Sequence, residues 1–346
     1  MTSVVKLSKI YTRGALYSAF FGLVLTVLVS CSSSNETLHI AGNTMGTTYH
    51  VTIVNPGLNQ QSVEPEAEQL LQALNQQMST YIESSELSAL NRAELGVWLP
   101  VSRELFEVLE LSQVIAGESG GAFDVTLGPV VNLWGFGPDS TDNKVPSTEQ
   151  IEALLSKTGM NTYELDSTQS TVRKLKPIYI DLSAIAKGYA ADKLANMLTA
   201  KGYQNYLIEI GGELRVSGKS SRDLPWRLAI EQPTLIPGEV FQAMAVSNGG
   251  IATSGDYRNF FEVEGIRYSH TIDPDTGSPV NHQLASVTVI AQTAAAADAW
   301  ATALNVLGTC KGLALAEQLK LPAYFISNKN GDFVAQYSQA FSPYLD

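Results

Sequence analysis

The chain has few of the residues that mark common catalytic and metal centres. Only two cysteines and four histidines occur in 346 residues. Four histidines with no cysteine/histidine cluster and no H-E-x-x-H motif exclude a multi-histidine zinc site. There is no G-x-S-x-G nucleophile elbow and no G-x-G-x-x-G fingerprint, so neither a serine hydrolase of that type nor a dinucleotide fold is expected. The stretch Gly212-Glu-Leu-Arg-Val-Ser-Gly218-Lys219-Ser220 misses a phosphate loop by one residue between the glycines. It also alternates like a strand, and Pro225 follows where a helix should open. Basic clusters are lacking as well: the net charge is −12, which argues against a nucleic-acid partner.

Long apolar runs are almost absent, with one exception at the start. Lys6, Lys9 and Arg13 precede an apolar run from Ala15 to Val29, and no acidic residue occurs before Glu36. The run ends at Leu28-Val29-Ser30-Cys31, a small residue ahead of a cysteine. That order predicts a lipoprotein signal peptide over 1–30, with Cys31 as the lipid-bearing first residue of the mature protein. An uncleaved anchor is the alternative, although the run is short of the ~20 residues a span needs. A polar tether over 31–37 and a folded body over 38–346 are expected to follow. With Cys31 committed to lipid, Cys310 has no partner for a disulfide, and it reads as a small buried apolar residue.

Helix and strand signals mix without regular alternation, which favours an α+β fold, mixed sheets with packed helices in a single catalytic unit. Strands are expected at His50–Val54, Pro177–Asp181, Tyr206–Ile210, Leu214–Ser217, Trp226–Glu231, Met244–Ser247 and Ser286–Ala291. Phe260 to Tyr268 reads as two strands around Glu264-Gly265, and a last hairpin turns at Asn330-Gly331. Apolar residues at helical spacing predict helices over Ala67–Met78, after Ser102, and over 186–200 and 293–307. Ser147-x-x-Gln150 has the form of a capping box, with Gly159 closing that helix.

Six short stretches combine small residues with an isolated carboxylate, imidazole or aromatic ring. They are Gly42–Thr48, Gly120–Thr126, Asp181–Asp192, Glu209–Glu213, Tyr268–Gly277 and Ala297–Leu304. Two carry a physical argument of their own. Asp298 and Thr302 are four residues apart on a helix and share a face. A carboxylate and a hydroxyl are hard oxygen donors that suit Mg²⁺ better than zinc. The competing reading has Asp298 facing solvent and Thr302 bonding its own backbone. His270 lies at the exit of a strand before a rigid Asp273-Pro274 turn, where an imidazole can serve as a general acid or base or bind phosphate; a purely structural histidine is the alternative.

Together these six stretches, in this order, resemble the FAD:protein FMN transferases of the ApbE family. The resemblance covers nearly all of the chain after residue 44. It implies that the protein binds FAD and Mg²⁺ and transfers the FMN half of FAD to a threonine of a target protein, releasing AMP. It further implies that Met45, Tyr81, Ala122, Phe123, Asp124, Asp181, Lys187 and Ile272 contact FAD. Metal ligands would be Asp298, Thr302 and the carbonyl of Ala184, and His270 and Asp298 are the candidates for catalysis. The implied acceptors carry a Ser/Asp-Gly-Ala-Thr-like motif, as in subunits of the sodium-translocating NADH:quinone reductase. The implied location is the periplasmic side of a bacterial membrane, the inner membrane first, held there by lipid. Two other activities fit the same residues: an FAD pyrophosphatase using water as nucleophile, and a flavin-binding lipoprotein without chemistry.

Overall fold

A computed structural model describes residues 35–57, 63–137, 145–234, 236, 238–257 and 259–346. Cys31 and the apolar run before it lie outside these residues. The opening hairpin joins β1 (Thr37–Thr44) to β2 (Thr47–Val54). Its first strand therefore begins at the last residue of the stretch read as tether. Helices α1 (Val63–Met78) and α2 (Glu86–Arg92), the short β3 (Trp98–Pro100), and helices α3 (Arg103–Glu118), α4 (Gly128–Leu133) and α5 (Thr148–Leu155) follow. Next come β4 (Tyr163–Asp166), β5 (Thr171–Lys174), α6 (Ala186–Ala200), β6 (Tyr206–Ile210) and β7 (Glu213–Ser217). The ribbon β8 (Trp226–Glu231)–β9 (Val240–Val246), then β10 (Gly249–Gly255) and the hairpin β11 (Phe260–Val263)–β12 (Ile266–Ser269) lead to β13 (Leu284–Ala291). Then come α7 (Ala294–Leu319), β14 (Ala323–Lys329), β15 (Asp332–Tyr337) and a 3₁₀ segment over Gln339–Tyr344.

Eight strands form one antiparallel sheet in the order β1-β2-β6-β7-β10-β13-β14-β15. Alternation along the strands gives it two apolar faces. Ala252, Val287, Val289 and Phe325 join the core beneath α6 and α7. Their neighbours Ile251, Ile290, Tyr324 and Ile326 point the other way, into a second core closed by Trp226 and Met244 of the β8–β9 ribbon. A period of two across paired strands sends adjacent residues to opposite faces, so the sheet is covered on both sides. A third, smaller core gathers α4, α5 and the β11–β12 hairpin around Trp134, Ile151, Phe261 and Ile272. These features make the fold α+β, as the element mixture implies.

Several local signals act as read. Ser102 accepts a hydrogen bond from the Leu105 N–H at the start of α3, and Ser147 and Gln150 form a reciprocal capping box on α5. Asn330 and Gly331 both take positive φ in the last hairpin turn, as do Glu264 and Gly265 in theirs.

Other elements differ. Pro177–Asp181 forms no regular strand. The Asn91 side chain accepts from the Ile180 N–H and donates to the Ile180 carbonyl, standing in for a neighbouring strand. Helix α5 ends at Leu155, and Gly159 opens a short 3₁₀ turn over Met160–Thr162. Gly42 belongs to a strand, where a Cβ would lie 2.6 Å from the Tyr49 ring. Cys310 is exposed rather than buried, because α7 breaks at Gly308 (φ 68) and changes the face it presents beyond that point. Among the described residues, no helix is long and apolar enough to cross a membrane.

Candidate active site

The site begins with how α7 is seated. Thr293 caps its first turn through the Ala296 N–H. The Asp192 carboxylate of α6 accepts from the Ala294 and Ala295 N–H groups, each at 2.8 Å. A carboxylate at a helix N-terminus satisfies orphan donors and favours the dipole. The helix also rests on glycines. A Cβ on Gly188 would sit 2.3 Å from the Ala294 carbonyl oxygen, and one on Gly250 would sit 2.2 Å from the Ala294 nitrogen. Close backbone approach therefore requires glycine at both positions.

This seating brings Asp298, one turn into α7, against the first turn of α6. Asp298 is 5% exposed, and its Oδ2 accepts from the Gly188 N–H at 3.2 Å. Gly188 is the third residue of α6, so its N–H is one of the first-turn donors that find no acceptor within their own helix. Asp298 satisfies that donor, and the Ala184 carbonyl, which lies just before the helix, makes no hydrogen bond among the described residues. Thr302 lies one turn further along the same face, and its hydroxyl makes no hydrogen bond within the described residues, contrary to the reading in which it bonds its own backbone. Asp298 thus faces inward rather than solvent, with Thr302 one turn further along its helix face and Ala184 four residues before the Gly188 N–H that it accepts.

Lys187 completes the charge balance. Its Nζ lies 2.8 Å from Glu213 Oε1 and 3.9 Å from Asp298 Oδ2. Burial alone would push its ammonium down, but Asp298 and Glu213 outweigh that and raise its pKa. Burial pushes the Asp298 carboxyl up, against the pull of Lys187 and the Gly188 N–H. Glu213 is pushed up to about 7 by burial and by the Asp298 charge, and its Oε2 is buried with no partner. With both carboxyls ionised, one ammonium does not balance them, and a bound cation would favour that ionised form. Among the described residues no three histidine, cysteine or carboxylate side chains converge. The donor set is therefore a mixed one of carboxylate, hydroxyl and carbonyl oxygens, which fits a hard divalent ion.

The turn of the first hairpin closes in from one side. Met45 has φ 49 and Gly46 φ 73, and Asn43–Thr48 line a cleft of about 430 Å³. Methionine is rarely held in the left-handed region, so the turn stores strain where it borders the cleft. Gly211 (φ 60) ties this turn to the charged cluster: a Cβ there would sit 2.8 Å from Thr47 and 3.2 Å from the Lys187 side chain. A second depression, of about 540 Å³, is lined by Trp98, Gln113 and Tyr163–Ser167 and contains none of the expected site residues.

His270 approaches from the third core. Its Nδ1 is 3.2 Å from the Asn259 carbonyl oxygen, which also accepts the His270 N–H. A carbonyl can only accept, so Nδ1 carries the proton and Nε2 is left free to take one. Burial pushes the imidazole pKa below its ordinary value, and Lys187 adds to that, while Asp256 and the Asn259 carbonyl oppose it. The ring packs edge-on against Phe136, with centroids 6.3 Å apart.

A sequence profile of the ApbE family matches residues 45–325. The chain belongs to the ApbE family. A Vibrio cholerae relative named FAD:protein FMN transferase is 39% identical over 323 residues, covering 93% of this chain and 96% of its own. A relative of the same name from Escherichia coli K12 is 39% identical over 97% of both chains. The solved structure of the flavin transferase ApbE from Vibrio cholerae superposes with a TM-score of 0.83 at 39% identity, covering 90% of this chain and all of that one. The apo form of the Pseudomonas stutzeri flavinyl transferase ApbE gives the same TM-score at 39% identity, over 90% and 97% of the two chains.

The remaining residues expected from ApbE resemblance divide by what they can offer. Tyr81 is 72% exposed, with its ring free to meet a planar ligand. Its phenol is pushed up by burial of the hydroxyl and by Asp181, which places these two residues in one neighbourhood. Asp181 accepts from the Ser183 N–H and donates its own N–H to the Val125 carbonyl, joining the loop before α6 to the 122–126 loop. Within that loop Phe123 is fully in the core and Ala122 nearly so, and the Phe123 N–H is bonded to the Ser119 hydroxyl. Asp124 spends Oδ1 on the Thr126 N–H and hydroxyl, and burial pushes its carboxyl up. Ile272 is buried and bridges Pro279, leaving its backbone as its contact.

Four residues of this neighbourhood carry no role in the sequence reading: Asp192, Glu213, Asp256 and Asn305. Asn305 follows Asp298 by seven residues, a same-face spacing that extends the pattern of Asp298 and Thr302. Asp192 and Glu213 stand inside two of the six quoted stretches. Only the tertiary fold brings Asp256 to them.

Proposed function

We propose that this protein transfers the FMN half of FAD to a threonine hydroxyl of an acceptor protein and releases AMP. The observation that carries the reading is a pair of features: Asp298, Thr302 and the Ala184 carbonyl offering oxygens at the α6–α7 junction, and an imidazole with a free nitrogen that feels the charge of Lys187 in the same cluster. In the reaction, the threonine oxygen forms a bond to the FMN phosphorus and the bond from that phosphorus to the bridging oxygen breaks. AMP leaves with the bridging oxygen, and the hydroxyl proton goes to His270 Nε2. The Lys187 ammonium faces the pyrophosphate with a charge opposite to it, held in place by Glu213. Asp298, Thr302 and the Ala184 carbonyl would hold Mg²⁺, which when bound neutralises phosphate charge and stabilises the departing group. Tyr81 offers an aromatic face to the isoalloxazine ring, and the Met45 turn closes the cleft beside it.

The acceptor threonine is read as lying in a Ser/Asp-Gly-Ala-Thr-like segment, as in subunits of the sodium-translocating NADH:quinone reductase. The signal-like order of residues 1–31 supports lipid attachment at Cys31 and a working place on the periplasmic side of a membrane. A single lipid and a short tether would raise the local concentration near membrane-embedded acceptors.

The test is to incubate the protein with FAD, Mg²⁺ and an acceptor domain bearing that segment, and to weigh the acceptor. A mass increase equal to FMN less water, lost when the acceptor threonine is replaced by valine, is the expected result. FMN and AMP in solution with an unmodified acceptor would assign hydrolysis instead. FAD bound but unchanged would remove both enzymatic readings.

A further inference from the structure

Below His270 lies a buried polar cluster that the transfer reading does not use. Asp256 follows the end of β10. Its Oδ1 accepts from the Thr271 hydroxyl at 2.7 Å and from the Asn305 amide at 3.0 Å. The same amide lies 3.2 Å from the Ser254 hydroxyl and 3.2 Å from the Thr271 hydroxyl. Asn305 and Thr271 are buried, and Asn305 Oδ1 has no partner. Asn305 is itself fixed from behind: its backbone carbonyl lies 2.7 Å from His282 Nε2. The helical break at Gly308 makes room for that ring, since a Cβ there would meet it at 2.9 Å.

The placement of these partners is specific. Thr271 is the neighbour of His270. Asn305 lies on the face of α7 that carries Asp298 and Thr302. Asp256 therefore joins the strand exit bearing the imidazole to the helix bearing the oxygen donors, through two hydrogen bonds to one carboxylate oxygen. Hydrogen bonds to a charged acceptor are about twice as strong as neutral ones. The Asp256 carboxylate also acts on the ring at a distance, favouring the imidazolium.

We propose that Asp256 is a positioning residue for flavin transfer, which fixes His270 against the Asp298–Thr302 helix and balances the charge the imidazole gains when it takes the threonine proton. Asp256 takes no proton itself; the positive charge stays on His270 and is neutralised across the cluster. The charged groups acting on His270 are Asp256, which favours the imidazolium, and Lys187, which opposes it. Removing the first leaves only the Asn259 carbonyl to oppose the second. This inference rests on His270 being the base, and its test separates the two.

Asp256→Asn keeps an oxygen acceptor for Thr271 and Asn305 and removes the charge. The first readout needs no substrate: the ring proton of His270, identified by its loss in His270→Ala, is followed by NMR against pH in the wild type and in Asp256→Asn. The inference expects His270 of the variant to titrate at lower pH than in the wild type. The second readout is the rate of FMN attachment to the acceptor, with kcat falling about tenfold or more and the KM for FAD unchanged. Thr271→Ser should retain most of kcat, and Thr271→Val should lose it as Asp256→Asn does.

An unchanged His270 titration in Asp256→Asn overturns the proposal, whether or not kcat falls. A parallel loss of FAD affinity and melting temperature at unchanged His270 titration would mark a purely structural residue and overturn it too. If His270→Ala retains full transfer while wild-type transfer is normal, the assignment of the base falls and the proposal with it. A dead His270→Ala beside a wild-type-like Asp256→Asn sinks the proposal alone.

Discussion

Among the described residues, charged pairs range from open to nearly enclosed, and the two extremes differ in kind. On the outside, Lys219 and Asp223 meet at 3.0 Å with their side chains 56% and 78% exposed. Inside, Lys187 stands between Glu213 and Asp298, whose side chains are each 8% exposed. The outer pair has one partner per charge and water on every side. The inner group has two carboxyl groups for one ammonium, one carboxyl oxygen with no partner, and the first-turn N–H of Gly188 donated to Asp298. Packing alone gives no reason to bury such a group, since apolar residues of the same volume are often as stable or more so. Two carboxyl groups sharing one ammonium is the arrangement that the proposed binding of a cation and a pyrophosphate uses.

The largest effect expected from that contrast is on chemistry. Asp298→Ala should lower FMN attachment about a hundredfold or more while the protein still folds, as circular dichroism would show. Attachment within tenfold of wild type would remove Asp298 from the site.

Next comes stability. Lys187→Met leaves Glu213 and Asp298 facing each other without a counter-charge, and should lower unfolding free energy at pH 8 by about 3 kcal/mol. The double variant Lys187→Met/Glu213→Gln should recover part of this in urea titrations; no recovery would mean that the two side chains do not act on each other.

A smaller effect concerns pH. The folded Glu213 carboxyl titrates near 7, against an ordinary 4.5, so the folded form holds that proton more tightly than the unfolded chain does. Its contribution to stability is therefore full below about 4.5 and is lost as pH rises to about 7. Glu213→Gln should flatten the decline of melting temperature over that interval, and an unchanged slope would count against the buried-carboxylate account. The smallest effect belongs outside: Lys219→Ala should change stability by less than about 0.5 kcal/mol and leave the rate of FMN attachment as it is. A larger loss of either would erase the contrast between the two kinds of pair.

What the amino-acid sequence shows follows the same division between local and distant causes. Ser102, Ser147 with Gln150, Glu264-Gly265 and Asn330-Gly331 act through neighbours a few residues away, and each does in the fold what its pattern implies. Asp298 and Thr302 are legible because four residues of helix put them on one face. The strand expected at Pro177–Asp181 is missing because a side chain from far away, Asn91, takes its hydrogen bonds. Strand β10 escapes notice because its glycines weaken the strand signal, although contact with α7 demands Gly250. Cys310 is exposed because a single positive φ at Gly308 turns the helix. Likewise Glu213, Asp192 and Asp256 gain their meaning only from partners far away in the chain. Periodicity carries no trace of such partners.

The central claim is that the α6–α7 junction is a cation site built from one carboxylate, one hydroxyl and one carbonyl. Thr302→Val keeps shape and removes a single oxygen. Titrating Mg²⁺ against the rate of FMN attachment in the wild type and in Thr302→Val tests the claim most directly. The account predicts saturable Mg²⁺ dependence in the wild type and a half-saturating concentration about tenfold higher in the variant, with FAD binding in the absence of metal unchanged. Identical Mg²⁺ curves for the two proteins, or transfer that proceeds at full rate without a divalent ion, would contradict it.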